Sequence, residues 1–409
     1  MMKSRRVTIL IPTRNRADTL HCTLKSCVSQ NYDQLDILVS DNHSEDRTAE
    51  VVAAAADPRI RRVKTERRLG MSQNWEFALS HVDDGYVLTL GDDDALLPNA
   101  IRDIVRILEE TDCEAIAWRE AKYYWPGSVG GLRPNTLRLP LRSGWRVESA
   151  TEWLTKVVGF QEPYTRLPSL YWGVLSRDAI RRATGGSLQF FHSLNPDLYS
   201  ALSVTMAIDR FVWSERPYRL NGLSKHSTGV SFGAVETNKH SPREQFLNEG
   251  NHPFHPDYVL VPSSPVYVAE AYQQAREHVP GGMRNPEIPL ELLTEHMMRD
   301  AAVSSEVVYG QVVEGVREMM RRGGQAADAV IAAHPFLNVK STDSDLGLSL
   351  GHMTMKLDGD DFAVSDVHGA ATLAYTIVRL FEGGYLSPRG IAQRALGALR
   401  RRVARLTQR

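Results

Sequence analysis

The first 120 residues alternate short, continuous apolar runs with longer stretches whose apolar positions recur every three or four residues. Residues 7–11 (VTILI), 35–40 (LDILVS), 60–65, 86–90 (YVLTL) and 114–118 have strand character. Residues 17–30, 46–56, 71–82 and 98–110 have helical spacing, with Leu20, Leu24, Cys27 and Val28 as the stripe of the first. Strands that are apolar throughout are buried on both faces, and their alternation with amphipathic helices predicts βαβ units. The expected class is α/β: a Rossmann-like parallel sheet with helices on both faces.

Ligands of such sheets bind at the carboxyl ends of the strands. Polar clusters fall there four times: Thr13-Arg14-Asn15-Arg16, Asp41-Asn42-His43-Ser44, Arg67-Arg68-Leu69-Gly70 and Gly91-Asp92-Asp93-Asp94. Neither the glycine-rich dinucleotide fingerprint nor the P-loop pattern occurs. Three adjacent carboxylates repel one another unless a cation or solvent screens them. Such oxygen ligands suit Mg2+ or Mn2+, which complete their shells with substrate phosphates. The competing reading is a solvated loop whose aspartate caps the next helix.

The regular alternation ends near residue 120. Residues 171–175 and 211–213 read as strands, 176–183 as the start of a helix and 198–208 as a helix opened by Asn195-Pro196-Asp197. Residues 225–233 (KHSTGVSFG) read as a flexible loop. Residues 236–265 are polar, contain proline and lack periodicity. Helical spacing returns over 266–278, 290–309, 311–322, 326–333 and 370–381, while 335–365 is ambiguous. Residues 387–409 carry seven arginines and no acid, with Ala392, Leu396, Leu399, Val403 and Leu406 on one stripe. That basic amphipathic helix either packs on the domain with a solvated arginine face or contacts an anionic membrane surface.

Composition narrows the classes. The 409 residues are 42% hydrophobic and 24% charged, as in ordinary globular proteins. The net charge of −1 gives no global reason to bind nucleic acid. Cys22, Cys27 and Cys113 are too few for a disulfide framework and fit a reducing compartment. The apolar run after the basic start is too short for a secretory signal, and no stretch approaches the ~20 apolar residues of a membrane span. The expected location is cytoplasmic, with peripheral contact on the inner face of a membrane through 387–409 as the sharper reading of the tail.

The motifs VTILIPTRN (7–15), LVSDNHSED (38–46) and LTLGDDDALLP (88–98) together resemble the GT-A glycosyltransferases of family 2. The resemblance covers about residues 5–235. It implies a GT-A catalytic domain over 1–235, with a nucleotide-sugar half (1–120) and an acceptor half (121–235). A linker or cover (236–265) and a mainly helical region (266–409) would follow. It further implies that Pro12, Thr13 and Asn15 line a nucleotide pocket, with Arg14 and Arg16 near the diphosphate. Asp41 would accept from the base, and Arg67, Arg68 and Asn74 would approach ribose or sugar. Asp92 and Asp93 match the metal motif, with Asp93 as the direct ligand of Mn2+ or Mg2+ and Asp94 behind it or on the sugar. Gly91 departs from the pattern, where many relatives have an acid.

Asp197 matches the position of the catalytic base that deprotonates the acceptor hydroxyl; its alternative reading is a helix N-terminal cap. His226 resembles the third metal ligand of several GT-A enzymes, against a plain surface histidine, and Lys225 would reach the diphosphate. The glycines at 222, 229 and 233 suit a lid over the donor. Trp118, Trp125, Trp145, Trp153 and Trp172 suggest that the acceptor side lies within 118–175, although tryptophan is mostly core. The implied activity is a metal-dependent, inverting transfer from a nucleotide-sugar, UDP-sugar favoured, to a glycan, lipid-linked or small-molecule acceptor in cell-envelope or polysaccharide synthesis. The alternatives are a nucleotidyltransferase and a non-catalytic binding or assembly module. The helical region would dock on the catalytic domain, bind acceptor or make a homodimer.

Overall fold

A computed structural model describes residues 6–128, 133–226, 249, 252–338, 346–349 and 353–383. The predicted tail helix (387–409) and the glycines at 229 and 233 lie outside the described residues.

The N-terminal alternation folds as read. It runs β1 (Val7–Thr13), α1 (Ala17–Val28), β2 (Leu35–Asp41), α2 (Thr48–Ala54), β3 (Ile60–Lys64), α3 (Met71–Leu79) and β4 (Tyr86–Thr89). Then come β5 (Ala95–Leu96), α4 (Ala100–Thr111) and β6 (Ala115–Trp118). The irregular stretch supplies β7 (Ala121–Tyr124), β8 (Thr136–Pro140), β9 (Trp145–Ser149) and α5 (Ala150–Val158). It continues through β10 (Gly173–Ser176), α6 (Arg177–Thr184), α7 (Pro196–Met206), β11 (Arg210–Ser214) and β12 (Arg219–Leu223).

The main sheet has the order β3-β2-β1-β4-β10-β6-β11-β9. Its β1, β2, β3 and β4 pair in parallel, while β10 runs antiparallel to β4 and β6. Alternate residues of the continuous apolar strands enter opposite cores. Leu10 and Leu38 pack with α3, α6 and α7; Ile9, Ile11, Ile37 and Val39 pack with α1 and α4. Each such fully buried side chain contributes roughly 1.5–3 kcal/mol of transfer free energy. This double burial sets strand identity and brings all four polar loops to one edge.

The C-terminal region holds α8 (Ser264–His278), α9 (Leu290–Ala302), α10 (Glu306–Arg322), α11 (Asp328–Ala333), β13 (Gly347–Ser349), β14 (Thr354–Asp358) and α12 (Val367–Glu382). It is mainly helical, as expected, but the helix expected over 290–309 is broken. Ser305 instead caps α10, its hydroxyl accepting from the Val308 N–H, as serine favours helix starts over interiors. The ambiguous stretch contains β13 and β14, which complete a second sheet of order β13-β14-β8-β7-β12-β5. Its strands are two to five residues long, too short to show a period. Helix α12 covers it with Val367, Ala370, Ala371, Ala374, Ile377 and Val378. Helix α8 joins the core of the main sheet through Val268, Ala271, Tyr272 and Ala275. Among the described residues no helix is long and apolar enough to cross a membrane.

Candidate active site

The polar loops enclose a cavity of about 610 Å³. Of the residues singled out from the sequence, Pro12, Thr13, Arg14, Asn15, Arg16, Arg68, Asn74, Asp92, Asp93, Asp197, Lys225 and His226 line it. Asp41, Arg67 and Asp94 are not in the lining.

Parallel pairing sets Thr13 beside Asp41 at the strand ends. Asn15 turns the first loop at φ 53°, a left-handed conformation that asparagine tolerates. Its N–H donates to Ser44 Oγ (3.0 Å), and its Oδ1 accepts from the Glu45 N–H (2.8 Å). Asn42 holds the third loop, accepting from the Leu69 N–H and donating to the Leu69 carbonyl, both at 2.8 Å. The Asp41 carboxylate, expected to meet a base, is fully buried. Its Oδ1 accepts from the Ser44 N–H (2.8 Å) and its Oδ2 from Arg62 Nε (3.0 Å). Asn74 accepts from Ser40 Oγ at 2.8 Å.

The three adjacent aspartates have separate surroundings. Asp92 accepts from Arg16 Nη1 at 2.9 Å; burial pushes its carboxyl upward against the opposing pull of Arg16. Burial works against the Arg16 charge, yet Asp92 and Asp93 hold that guanidinium above its usual range. Arg16 Nη2 also donates to the His226 carbonyl at 2.6 Å. Arg16 therefore ties the first loop to the loop after β12. Asp93 keeps its side chain in the cavity wall, where Oδ2 accepts from Ser224 Oγ at 2.6 Å. Asp94 turns inward. It accepts from the N–H groups of Gly91 (3.0 Å) and Gly222 (2.7 Å) and faces Arg219 at 3.7 Å. Burial pushes it up to about 6 despite Arg219. Its place is under the loop, outside the cavity lining. Gly222 is required here, because a Cβ would sit 1.7 Å from the Asp93 carbonyl oxygen.

His226 is not brought into a ligand set with the aspartates. Its Nε2 lies 3.1 Å from Asp18 Oδ2, which Lys225 Nζ also meets at 3.1 Å. Burial tends to raise the Asp18 carboxyl, but the bonds from His226 and Lys225 outweigh it and hold it low. Among the described residues no group of three or more His, Cys, Asp or Glu is arranged to hold a metal. The donor set at the wall is Asp93 with Asp92 beside it. That set fits a hard cation whose remaining ligands are phosphate oxygens.

Asp197 lies in the first turn of α7, with Pro196 at the first helical position. Tyr164 Oη donates to its Oδ2 at 2.9 Å. Burial raises its carboxyl above the ordinary range, partly offset by the Tyr164 bond. Of the five tryptophans, Trp172 lines the cavity. Trp125 donates to the Asp93 carbonyl at 3.0 Å, Trp118 and Trp153 are core, and Trp145 is exposed.

Sequence reasoning did not find Asp18, Tyr164, Tyr171, Asn221 or Glu249. Glu249 pairs with Arg14 at 2.7 Å and also with Arg68. It stands in the polar stretch that carries no periodicity. Tyr171 Oη donates to Asn221 Oδ1 at 3.1 Å, and the Arg219 guanidinium lies 3.9 Å over the Tyr171 ring. Aromatic residues beside a strand carry no signal that separates lining from core.

Fold and site together define an α/β protein with an acidic, arginine-bordered ligand cavity. Residues 8–145 match the model of Glycosyl transferase family 2, so the resemblance carried by the motifs holds over that segment. Similar proteins include the Escherichia coli UDP-Glc:alpha-D-GlcNAc-diphosphoundecaprenol beta-1,3-glucosyltransferase WfaP, 27% identical over 118 residues, 29% of this chain and 46% of that protein. A Campylobacter jejuni GalNAc(5)-diNAcBac-PP-undecaprenol beta-1,3-glucosyltransferase is 31% identical over 108 residues, 26% of this chain and 35% of the relative. The Rhizobium meliloti succinoglycan biosynthesis protein ExoO is 28% identical over 106 residues, 26% of this chain and 30% of its own length. The alignments thus span less than half of each of these relatives. Among solved structures, S. aureus TarS 1–349 in complex with UDP-GlcNAc aligns at TM-score 0.44 and 14% identity, covering 78% of this chain and 92% of that one.

Proposed function

We propose that this chain is a glycosyltransferase that moves a sugar from a nucleotide-sugar, UDP-sugar favoured, to an acceptor hydroxyl with inversion. The observation that carries the reading is one cavity lined by Asp93, Arg14, Arg68 and a half-buried Asp197. Arg14 and Arg68, which share the Glu249 carboxylate, are the cations for a diphosphate. Asp93, with Asp92 beside it, would hold Mn2+ or Mg2+, which when bound stabilises the charge of a departing diphosphate as a Lewis acid. Pro12, Thr13 and Asn15 border the nucleotide.

Asp197 takes the proton of the acceptor hydroxyl. A raised carboxyl is a better proton acceptor near neutral pH than an ordinary one. Tyr164 fixes its orientation and favours its ionised form, as does the N-terminal end of α7. Inversion follows the family resemblance, as does the donor preference. The two glucosyltransferases above are named for diphosphoundecaprenol-linked acceptors. We extend that class to this chain, as a step in cell-envelope glycan synthesis at a membrane surface.

The test is to supply UDP-, GDP-, dTDP- and CMP-sugars with lipid-diphosphate-linked glycans and follow sugar transfer and nucleotide release. Asp197→Asn should cut transfer about 10²–10⁴-fold while nucleotide affinity stays within about twofold. Transfer undiminished in Asp197→Asn would overturn the assignment.

A further inference from the structure

A second cavity, of about 210 Å³, adjoins the first. The short turn Tyr164–Arg166 belongs to both: Tyr164 faces the large cavity, Thr165 and Arg166 the small one. Asn221, in the large cavity, donates to Glu120 Oε1 in the small one at 3.3 Å.

The small cavity is cationic. Arg119, Lys122, Arg138 and Arg166 line it, against the single acid Glu120. Lys122 is paired with Glu120 and Arg119 with Glu215. No ion pair joins Arg138 or Arg166 to a described residue within 4 Å. Strand register sharpens the imbalance: Arg138 of β8 stands directly opposite Lys122 of β7 and Lys356 of β14. Like charges facing each other across strands repel, and Glu120 offsets this at Lys122. Arg166 adds a half-buried guanidinium held between the rings of Trp153 (4.2 Å) and Trp213 (3.6 Å). Its Nε is buried without a hydrogen-bond partner. Stacking satisfies the charge through the ring faces and fixes the guanidinium plane at the edge of the cavity. Burial pushes the Arg166 guanidinium down to about 10; Glu162 and Glu215 pull it up, while Arg119 and Arg146 push it down further.

We infer that this cavity binds a phosphate or diphosphate group of the acceptor. The inference rests on the transferase reading above, because it places the acceptor's anion two residues along the turn from the tyrosine that holds the base. Tyr164 and Arg166 share one three-residue turn, so a single short element links the tyrosine that holds the base to the cationic cavity. An acceptor sugar bearing a phosphate would then present its hydroxyl to Asp197 while its anion meets Arg166, Arg138 and Lys122.

Calorimetric titration with inorganic diphosphate tests the site without requiring turnover. The full chain should bind diphosphate at two sites. Arg14→Gln/Arg68→Gln should remove the nucleotide-side site and keep the second. Arg138→Gln/Arg166→Gln should weaken the second by at least about tenfold, and Arg138→Gln alone should do so in part. Arg138 is exposed, so its variant keeps the fold if Arg166→Gln does not. GlcNAc 1-phosphate should compete for the second site, and methyl N-acetylglucosaminide should not. Diphosphate binding unchanged in Arg138→Gln and in the double variant would overturn the inference. So would equal competition by the neutral glycoside. A second site lost in these variants, in a chain that transfers no sugar, would sink the transferase reading and the acceptor assignment while leaving an anion site.

Discussion

Tyr164 donates its hydroxyl to Oδ2 of Asp197 at 2.9 Å, across a separation of 33 residues. The base must be ionised to take a proton, so activity falls as pH falls through its pKa. Burial has already raised that pKa, and the Tyr164 bond favours the ionised form. Tyr164→Phe should therefore raise it further. A bond to a charged group worth about 1.5–3 kcal/mol corresponds to about one to two units. The acid limb of the kcat/KM profile should move up by that amount; an unmoved limb would remove Asp197 as the titrating base.

Asp93 and Asp94 are adjacent, but their substitutions should separate. Asp94→Asn leaves the buried Arg219 without its counter-charge and turns an acceptor toward donation against backbone N–H groups. A loss of about 3–5 kcal/mol is expected in chemical denaturation. Asp93→Asn changes a cavity-wall group and should cost less than about 1 kcal/mol of stability while abolishing cation-dependent nucleotide binding. Equal stability losses in the two variants would contradict the division.

Gly222→Ala should fail through backbone contact alone. The added carbon meets the Asp93 carbonyl at 1.7 Å, so β12 must move away from the aspartate loop. Overpacking of this kind costs about 1–3 kcal/mol or more. Melting temperature and nucleotide affinity should fall together.

His192 gives the fold a pH dependence away from the cavity. Its ring stacks on His278 with centroids 3.7 Å apart, and burial lowers it to about 4, with the neighbouring histidines adding to the shift. The unfolded chain takes up this proton below about 6.5 while the folded chain does not. Stability from this group is present above that pH and lost as pH falls toward 4. Discounted for partial exposure, the loss is about 1–3 kcal/mol. His192→Phe should lose less stability than the parent chain between pH 7 and pH 5; an equal loss would show that His192 does not titrate in this window.

The N-terminal sheet was legible because β1, β2 and β4 are largely apolar on both faces, as strands covered by helices on both sides are. The edge carrying Arg14, Asn15, Asp92 and Asp93 followed from it. The second sheet was not legible. Its strand β5 is the two residues Ala95–Leu96, and its strands come from four separate parts of the chain. The site's cross-links were hidden for a related reason. Asp18 meets His226 across 208 residues and Trp125 meets the Asp93 carbonyl across a sheet boundary, and no local period encodes such pairs. Asp41 was placed at the right strand end, but its bond to Arg62 depends on how β3 pairs with β2.

The most direct test of the account is thermal unfolding with UDP, GDP, dTDP and CMP, each with and without Mn2+, beside Asp93→Asn. A nucleotide at about 100 times its Kd should add roughly 2.7 kcal/mol of stability. The account predicts that one nucleotide stabilises the chain, that Mn2+ enhances the effect, and that Asp93→Asn abolishes the enhancement. No stabilisation by any of the four at millimolar concentration would contradict it.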